Sequence, residues 1–252
     1  MLGNKEFKAT AITLKSFELG EADRILSLFS REFGIIKAVA KGLKKANSKF
    51  GGRLDLLNVN ELVIRKGKGL DTIVHCESEK NFPLLRLDYD KLIYSLFLGE
   101  LILLFSNEGE PIEEVFDLMV YTLDIMQYSE SPLWHTIWFE MHLLTILGYQ
   151  ANLVRCDICQ REIPDKNDRL GFSLLTGSVI CDLCLRSTSN YKLISDEIRD
   201  ILLKLKTFDF EKLSGLTPDE KVLKRTQDIL KEYFSNLSER KIKTLSVFDA
   251  DK

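Results

Sequence analysis

Short apolar runs separated by glycine and polar turns dominate residues 1–80 of the chain. Each run has the length of a strand, and Gly67–Lys68–Gly69 between the last two is a hairpin signal. Strands of this length with glycine corners favour a small antiparallel barrel, and the OB-fold is one barrel of five strands. We predict strands near Lys8–Leu14, Arg24–Arg31, Gly34–Ala40, Leu54–Lys66 and Leu70–Glu77.

From Asn81 the pattern becomes helical. Pro83 and Pro111 mark the starts of two helical segments, and a third follows Pro132. The second segment carries an apolar stripe at helical spacing, which indicates a face packed in a core. Its members are Ile112, Val115, Phe116, Met119, Leu123 and Met126. Two further stripes occur later, one at Ile198, Ile201, Leu202 and Leu205 and the other at Ile229, Leu230, Tyr233, Phe234 and Leu237.

Four cysteines form the most specific motif in the chain. Cys156 and Cys159 make one C-x-x-C pair, and after 21 residues Cys181 and Cys184 make another. Two such pairs at about this separation are typical of a four-thiolate zinc site, whereas redox activity is less favoured for two matched pairs. Because four protein ligands leave no open position, we expect one structural Zn²⁺ per chain. The remaining cysteine, Cys76, lies on a predicted strand and is expected to be a buried free thiol.

These patterns together predict an α+β protein. Residues 1–80 are expected to form an OB-fold-like β-barrel. Residues 81–252 are expected to form a helical domain with the zinc ribbon inserted at about 152–187.

A cationic segment, residues 37–53, begins on the third predicted strand and contains no Asp or Glu. Glycines and the polar pair Asn47–Ser48 mark most of it as a loop. Like charges in one flexible segment repel each other unless an anion lies among them, and the phosphate backbone of a nucleic acid is the commonest such partner. A solvated loop kept basic for solubility is the alternative interpretation. The cations are Lys37, Lys41, Lys44, Lys45, Lys49 and Arg53.

Aromatic residues near these cations could stack on bases. The candidates are Phe17, Phe29, Phe33 and Phe50. Phe29 lies within a strand pattern and is expected in the core, whereas Phe50 lies inside the cationic segment and is expected to be exposed.

The charge distribution supports a cationic working face on an acidic body. The net charge is −3, but residues 1–80 hold 15 Lys/Arg against 10 Asp/Glu, and the remaining residues hold 20 against 28. Hydrophobic content of 45% and charged content of 29% are ordinary for a globular protein.

Motifs for export and for common catalytic sites are missing from the sequence. The N-terminus lacks the apolar region of a signal peptide, and the most apolar run, Leu92–Phe105, is too short to span a bilayer. We therefore expect a cytoplasmic protein with reduced cysteines. There is no Walker phosphate loop, G-x-S-x-G elbow or H-E-x-x-H pair, so we expect no enzymatic activity and no catalytic residues.

The chain resembles the bacterial recombination mediator family RecO. It has that family's order of basic barrel, helical body, C-x-x-C…C-x-x-C ribbon and C-terminal helix. The resemblance is closest in residues 18–53, ELGEADRILSLFSREFGIIKAVAKGLKKANSKFGGR, although Ser30 stands where threonine is more usual. RKGKGL at 65–70 and EGEP at 108–111 also fit the family pattern.

The resemblance implies a DNA repair protein that binds single- and double-stranded DNA without sequence specificity and anneals complementary strands. It also implies RecR as a partner, contact with the C-terminal tail of single-strand-binding protein, and help in loading RecA onto coated DNA near the bacterial nucleoid. Carried over residue by residue, the DNA-contacting candidates are Lys37, Lys41, Lys44, Lys45, Lys49 and Arg53, with Arg24 and Arg31 in addition.

Two other functions stay open from the residues alone. A translation or ribosome-associated factor that binds RNA could combine the same barrel and ribbon, and RNA alone would offer a 2′-hydroxyl. A scaffold protein could instead use the cationic segment to bind an acidic protein tail.

Overall fold

A computed structural model describes residues 6–149, 151–165, 169–206, 218–238 and 242–244. These residues form two compact units, one ending at Glu130 and one beginning at Ser131. Strands and helices occur in both units, and the predicted α+β class is confirmed. The first unit contains two helices in addition to the strands, and the predicted domain boundary at residue 80 stays a prediction.

The first unit is built on a closed barrel in the strand order β1-β2-β3-β5-β4, with β4 returning to β1. Neighbouring strands are antiparallel except β3 and β5, which run parallel and pair at two positions within the described residues. This arrangement confirms the predicted OB-fold-like barrel. The strands are β1 Glu6–Leu19, β2 Asp23–Ser30, β3 Gly34–Ala40, β4 Val59–Arg65 and β5 Asp71–Lys80.

The two largest differences from the predicted strand boundaries are at the start of β4 and the end of β1. β4 starts at Val59 rather than Leu54, because the preceding residues form turns and Leu57 has a left-handed φ of 68° that a strand residue does not adopt. β1 continues past Leu14 to Leu19, because its register with β2 shifts between Thr13 and Lys15. Such a bulge bends a strand without ending it.

The barrel interior is a core of small and branched apolar side chains. Two residues of the loop between β3 and β4, Phe50 and Leu54, complete this core from outside the strands. The strand residues in the core are Ala9, Ala11, Leu26, Leu28, Ile36, Ala38, Ala40, Leu62, Ile64, Ile73 and Cys76.

Helices α1 and α2 cover the outer face of β1 and β2. A Cβ at Gly99 of α1 would lie 3.3 Å from the Leu14 side chain, and the ring of Phe116 in α2 lies 6.0 Å from that of Phe29. The apolar stripe predicted for α2 is buried from Val115 to Met126. No helix in the described chain is both long and apolar enough to cross a membrane. After a short 3-10 helix at Pro83–Leu87, α1 spans Tyr89–Phe105 and α2 spans Glu113–Met126.

The second unit combines three long helices with a small ribbon. Helix α3 packs against α5 and α6, and the predicted apolar stripes of α5 and α6 are buried except for the half-buried Leu237. The ribbon strands form a sheet in the order β7-β6-β8. The elements are α3 Pro132–Ile146, β6 Leu170–Ser173, β7 Val179–Cys181, α4 Asp182–Leu185, β8 Tyr191–Ile194, α5 Asp196–Lys206 and α6 Glu220–Leu237.

Candidate nucleic-acid interface and metal centre

The cationic segment leaves β3 and folds against the barrel in consecutive turns. The Lys45 N–H donates to the Gly42 carbonyl at 3.2 Å, and the Ser48 N–H donates to the Lys45 carbonyl at 2.9 Å. The Phe50 side chain is 1% exposed and lies in the barrel core, so the prediction that it is exposed is wrong. An aromatic side chain removes a large apolar area from water when it is buried, so Phe50 anchors the segment to the barrel.

Four of the eight predicted DNA contacts present charges without a carboxylate partner. Lys41, Lys45, Lys49 and Arg53 are exposed, and none forms an ion pair in the part of the chain that the structure describes. The Lys49 ammonium donates to the Val74 carbonyl at 2.9 Å, and Arg53 donates to the Lys49 carbonyl at 3.0 Å. These contacts hold two cations beside β5 without neutralising them.

The other four predicted contacts are paired with carboxylates, three of them with exposed glutamates. The Lys37 Nζ lies 2.6 Å from the Glu108 carboxylate, and Glu18 lies 2.9 Å from the Lys44 Nζ and 4.0 Å from Arg24. The hydrogen bond from Lys44 lowers the pKa of Glu18. Solvent screens exposed pairs of this kind and they contribute little to stability, so a phosphate could replace the carboxylate.

Arg31 has a structural contact in this unit. Its guanidinium hydrogen-bonds the Asp117 carboxylate and lies 5.1 Å from the ring centroid of Phe116. It therefore joins the end of β2 to α2. A DNA phosphate would have to bind the same guanidinium that Asp117 already contacts.

The aromatic candidates differ in exposure. Phe29 is fully buried, as predicted, whereas Phe17 is 46% exposed beneath the Lys15 ammonium and Phe33 is 39% exposed. The Phe33 ring contacts that of Phe7 at 4.9 Å between centroids. Sequence reasoning did not single out Phe7, because only the fold brings the start of β1 next to the turn between β2 and β3.

The four predicted cysteine ligands come together in the ribbon. Their sulfur atoms all lie within 4.8 Å of one another, and the Cys159 and Cys181 sulfurs are 3.7 Å apart. Four sulfur donors from two C-x-x-C turns can surround one ion tetrahedrally, so this group fits a structural metal. Cys76 lies apart from the group as a buried free thiol, as predicted, and burial raises its pKa to about 11.

The electrostatics of the cluster also fit a cation. Burial alone would raise the pKa of Cys156, but backbone N–H groups, including that of Cys181 at 3.4 Å, lower it to about 6. Burial and the neighbouring thiols raise the pKa of Cys184 to about 12. Four thiolates so close would repel one another, and a bound divalent cation would remove that repulsion.

The ribbon is held on the helices of its unit by a buried arginine and an aromatic contact. The Arg199 guanidinium on α5 is 4% exposed and donates to the carbonyls of Leu153, Ile163 and Pro164 at 2.9, 3.2 and 2.9 Å. The ring of Phe172 on β6 lies 5.7 Å from that of Tyr233 on α6. The cysteine turns are therefore fixed to the helices, which suits a structural site.

Comparison with known proteins assigns the two parts of the chain to one family. Residues 4–82 match the family model for the N terminal part of Recombination protein O, and residues 86–246 match the model for its C terminal part. The chain belongs to the RecO family. The family expected from the cationic segment and the cysteine ribbon is thus confirmed.

Individual members of the RecO family resemble the chain over most of its length. The DNA repair protein RecO of Pelotomaculum thermopropionicum is 31% identical over 97% of this chain and 94% of its own length. That of Desulforamulus reducens is 29% identical over the same shares of both chains. The protein of the same name from a Nostoc species is 37% identical over 71% of this chain and 63% of its own length.

Proposed function

We propose that this RecO-family chain is a non-catalytic, DNA-binding recombination mediator that acts in DNA repair. Its relatives carry the name DNA repair protein RecO, which supports the role in repair. The structural observation in favour of DNA binding is a set of exposed cations on the barrel that form no ion pair with any described residue, namely Lys41, Lys45, Lys49 and Arg53.

The proposed binding mode is contact with phosphates. Cations on a single turn-rich segment can neutralise successive phosphates and release counterions, which gives affinity without sequence information. The same surface would therefore bind single and double strands. Lys37, Lys44, Arg24 and Arg31 are proposed as further contacts that exchange a carboxylate partner for a phosphate.

The finer proposal comes from the family resemblance. The chain would anneal complementary strands and, with RecR, help load RecA onto DNA coated by single-strand-binding protein, whose C-terminal tail it would contact. These steps place it in the bacterial cytoplasm at the nucleoid. A cationic surface suits annealing because it lowers the repulsion between two polyanions while it holds each weakly.

We propose Zn²⁺ as the ion of the cysteine cluster. Cys156, Cys159, Cys181 and Cys184 would hold it as thiolates, and the bound ion would link the two C-x-x-C turns. With four protein ligands the site would have no position for substrate, which supports a structural role.

The test is strand annealing and DNA binding by a double variant, Lys41→Ala with Lys45→Ala. We expect slower annealing in the absence of nucleotide and weaker binding of both single and double strands. If each lysine contacts one phosphate, the slope of log K against log salt on a single strand changes by about 1.4, at about 0.7 per contact.

The matched control is Lys221→Ala with Lys224→Ala, which removes the same charge from the exposed face of α6. It should leave the salt slope unchanged. Failure of the wild-type protein to bind or anneal DNA would overturn the proposed function. Equal salt slopes for wild-type protein and the Lys41/Lys45 variant would show that these residues are not the DNA site.

A further inference from the structure

The barrel carries an aromatic groove with a cavity volume of about 890 Å³. It forms because β3 pairs with β5 only through Ala38 and Val39 in the described residues, so the pairing does not extend along the first half of β3. The Ile35 N–H there donates to the Asn107 carbonyl at 3.0 Å instead. The groove is lined by Phe7, Phe33, Lys37, Lys66, Leu70 and Glu108, among others.

Apolar and aromatic surface is open to solvent in this groove. Phe33 is 39% exposed and Leu70 is 40% exposed, which is high for large apolar side chains at the wall of a cavity. The edge-to-face contact between Phe33 and Phe7 fixes both rings, with an angle of 72° between their planes. Every nucleobase has a π face that can stack on such a ring, and the volume lies within the range of small-ligand pockets.

Two lysines and three acidic residues also line the groove. The Lys66 Nζ lies 4.6 Å from the ring centroid of Phe7, and Lys37 is among the predicted DNA contacts. Lys37 is paired with Glu108 at 2.6 Å and Lys66 with Asp71 at 3.1 Å. Both lysine side chains are more than half exposed, and exposed pairs exchange partners readily.

We propose that the aromatic groove binds an unpaired base of single-stranded DNA, which stacks on Phe33 while Lys37 and Lys66 contact the adjoining phosphates. This inference rests on the proposed function, since it adds a base-binding site to the phosphate-binding surface. A base inside a duplex is already stacked and paired, so the groove favours single strands. A free inorganic anion would use the lysines and leave the aromatic wall unoccupied.

The test compares an oligothymidine with an abasic oligonucleotide of the same length, which has the same phosphates and no bases. Wild-type protein should bind the oligothymidine more tightly. Phe33→Leu keeps apolar volume but removes the ring, and we expect it to weaken oligothymidine binding by about tenfold and to leave abasic binding unchanged.

The matched control is Tyr128→Leu, because Tyr128 is an exposed aromatic ring just after α2 that does not line the groove. It should retain the preference for bases, and circular dichroism should show both variants folded. An unchanged oligothymidine affinity in Phe33→Leu overturns the base-binding proposal and leaves the groove to another occupant, such as an acidic peptide. Equal losses for both oligonucleotides overturn it as well. Neither result contradicts the proposed function, which this experiment would overturn if wild-type protein bound neither oligonucleotide.

Discussion

At the scale of single residues, Glu140 has the most perturbed pKa among the carboxyl groups that the structure describes. It lies on α3, is completely buried, and its Oε1 accepts a hydrogen bond from the Gln227 Nε2 at 3.0 Å. The Glu140 Oε2 and the Gln227 Oε1 have no partner in the part of the chain that the structure describes. Burial raises the pKa of Glu140 to about 8, although Gln227 and Lys231 act in the opposite direction. The folded protein therefore holds this carboxyl protonated near neutral pH.

We predict that the free energy of unfolding of Glu140→Gln rises relative to that of wild type as the pH increases. Between pH 4.5 and about 8 the folded wild type keeps a proton that the unfolded chain has lost, so its free energy of unfolding falls with increasing pH. Each pH unit in this window costs the wild type at most about 1.4 kcal/mol, and glutamine does not titrate. Urea unfolding of both proteins at pH 5, 6, 7 and 8 measures the difference.

The control for this experiment is Glu220→Gln, because Glu220 is exposed on α6. Its stability difference from wild type should vary little over the same window. A constant difference between Glu140→Gln and wild type would contradict a raised pKa for Glu140.

The sequence shows which residues of the first unit are cations, but it does not show which carboxylate each cation pairs with. Lys41 and Lys44 look alike in a run of basic residues, yet Glu18 pairs with Lys44 and no carboxylate of the described chain pairs with Lys41. The pairing depends on the hairpin of β1 and β2, which brings a residue 26 positions away within reach. Cysteine ligands are easier to predict, because C-x-x-C spacing already places two thiols near one ion.

At the scale of structural elements, the loop between β3 and β4 is part of the barrel. Its residues Phe50 and Leu54 are 1% and 2% exposed and lie among the strand side chains of the core. The sequence predicts β3 to the residue because GIIKAVA is an uninterrupted apolar pattern around one lysine. It does not predict the turns at residues 54–57, because an apolar run of leucines can be buried in a loop as well as in a strand.

We predict that Phe50→Ala destabilises the first unit by about 3 kcal/mol or more, because it empties a filled position in the core. Phe50→Leu should cost less and should leave DNA affinity near that of wild type. Urea unfolding and oligonucleotide titration of both variants give the two quantities. A large loss of DNA affinity in a stable Phe50→Leu protein would instead support base stacking by this residue.

At the scale of the whole molecule, the cysteine cluster and the cationic segment belong to different compact units. The cysteines lie in the unit that begins at Ser131, and the cations lie in the unit that ends at Glu130. The ribbon is tied to its own unit through Arg199 and Tyr233. Loss of the metal should therefore act first on the stability of the helical unit.

We predict that Cys181→Ser releases the metal and lowers the thermal stability of the ribbon, because a metal-binding free energy that contributes to folding is lost. DNA affinity should fall much less. Elemental analysis gives metal per chain, and oligonucleotide titration gives the affinity. Wild-type protein that is fully folded and free of metal would contradict a structural metal, and Ser187→Ala in the same ribbon serves as the control substitution.

Helices α1 and α2 pack over β1 and β2, and this packing determines where the chain can be cut to obtain a folded fragment that contains the barrel. A fragment cut at residue 82, where the N-terminal family match ends, would uncover Leu14 and Phe29, which are 6% and 0% exposed in the intact unit. Such a fragment would expose an apolar surface to solvent. Copies of the fragment would then associate through this surface at the concentrations reached during expression. The smallest autonomous piece that contains the barrel therefore extends to about Glu130. The barrel alone is therefore not an independent domain, although its five strands form a closed ring without the helices.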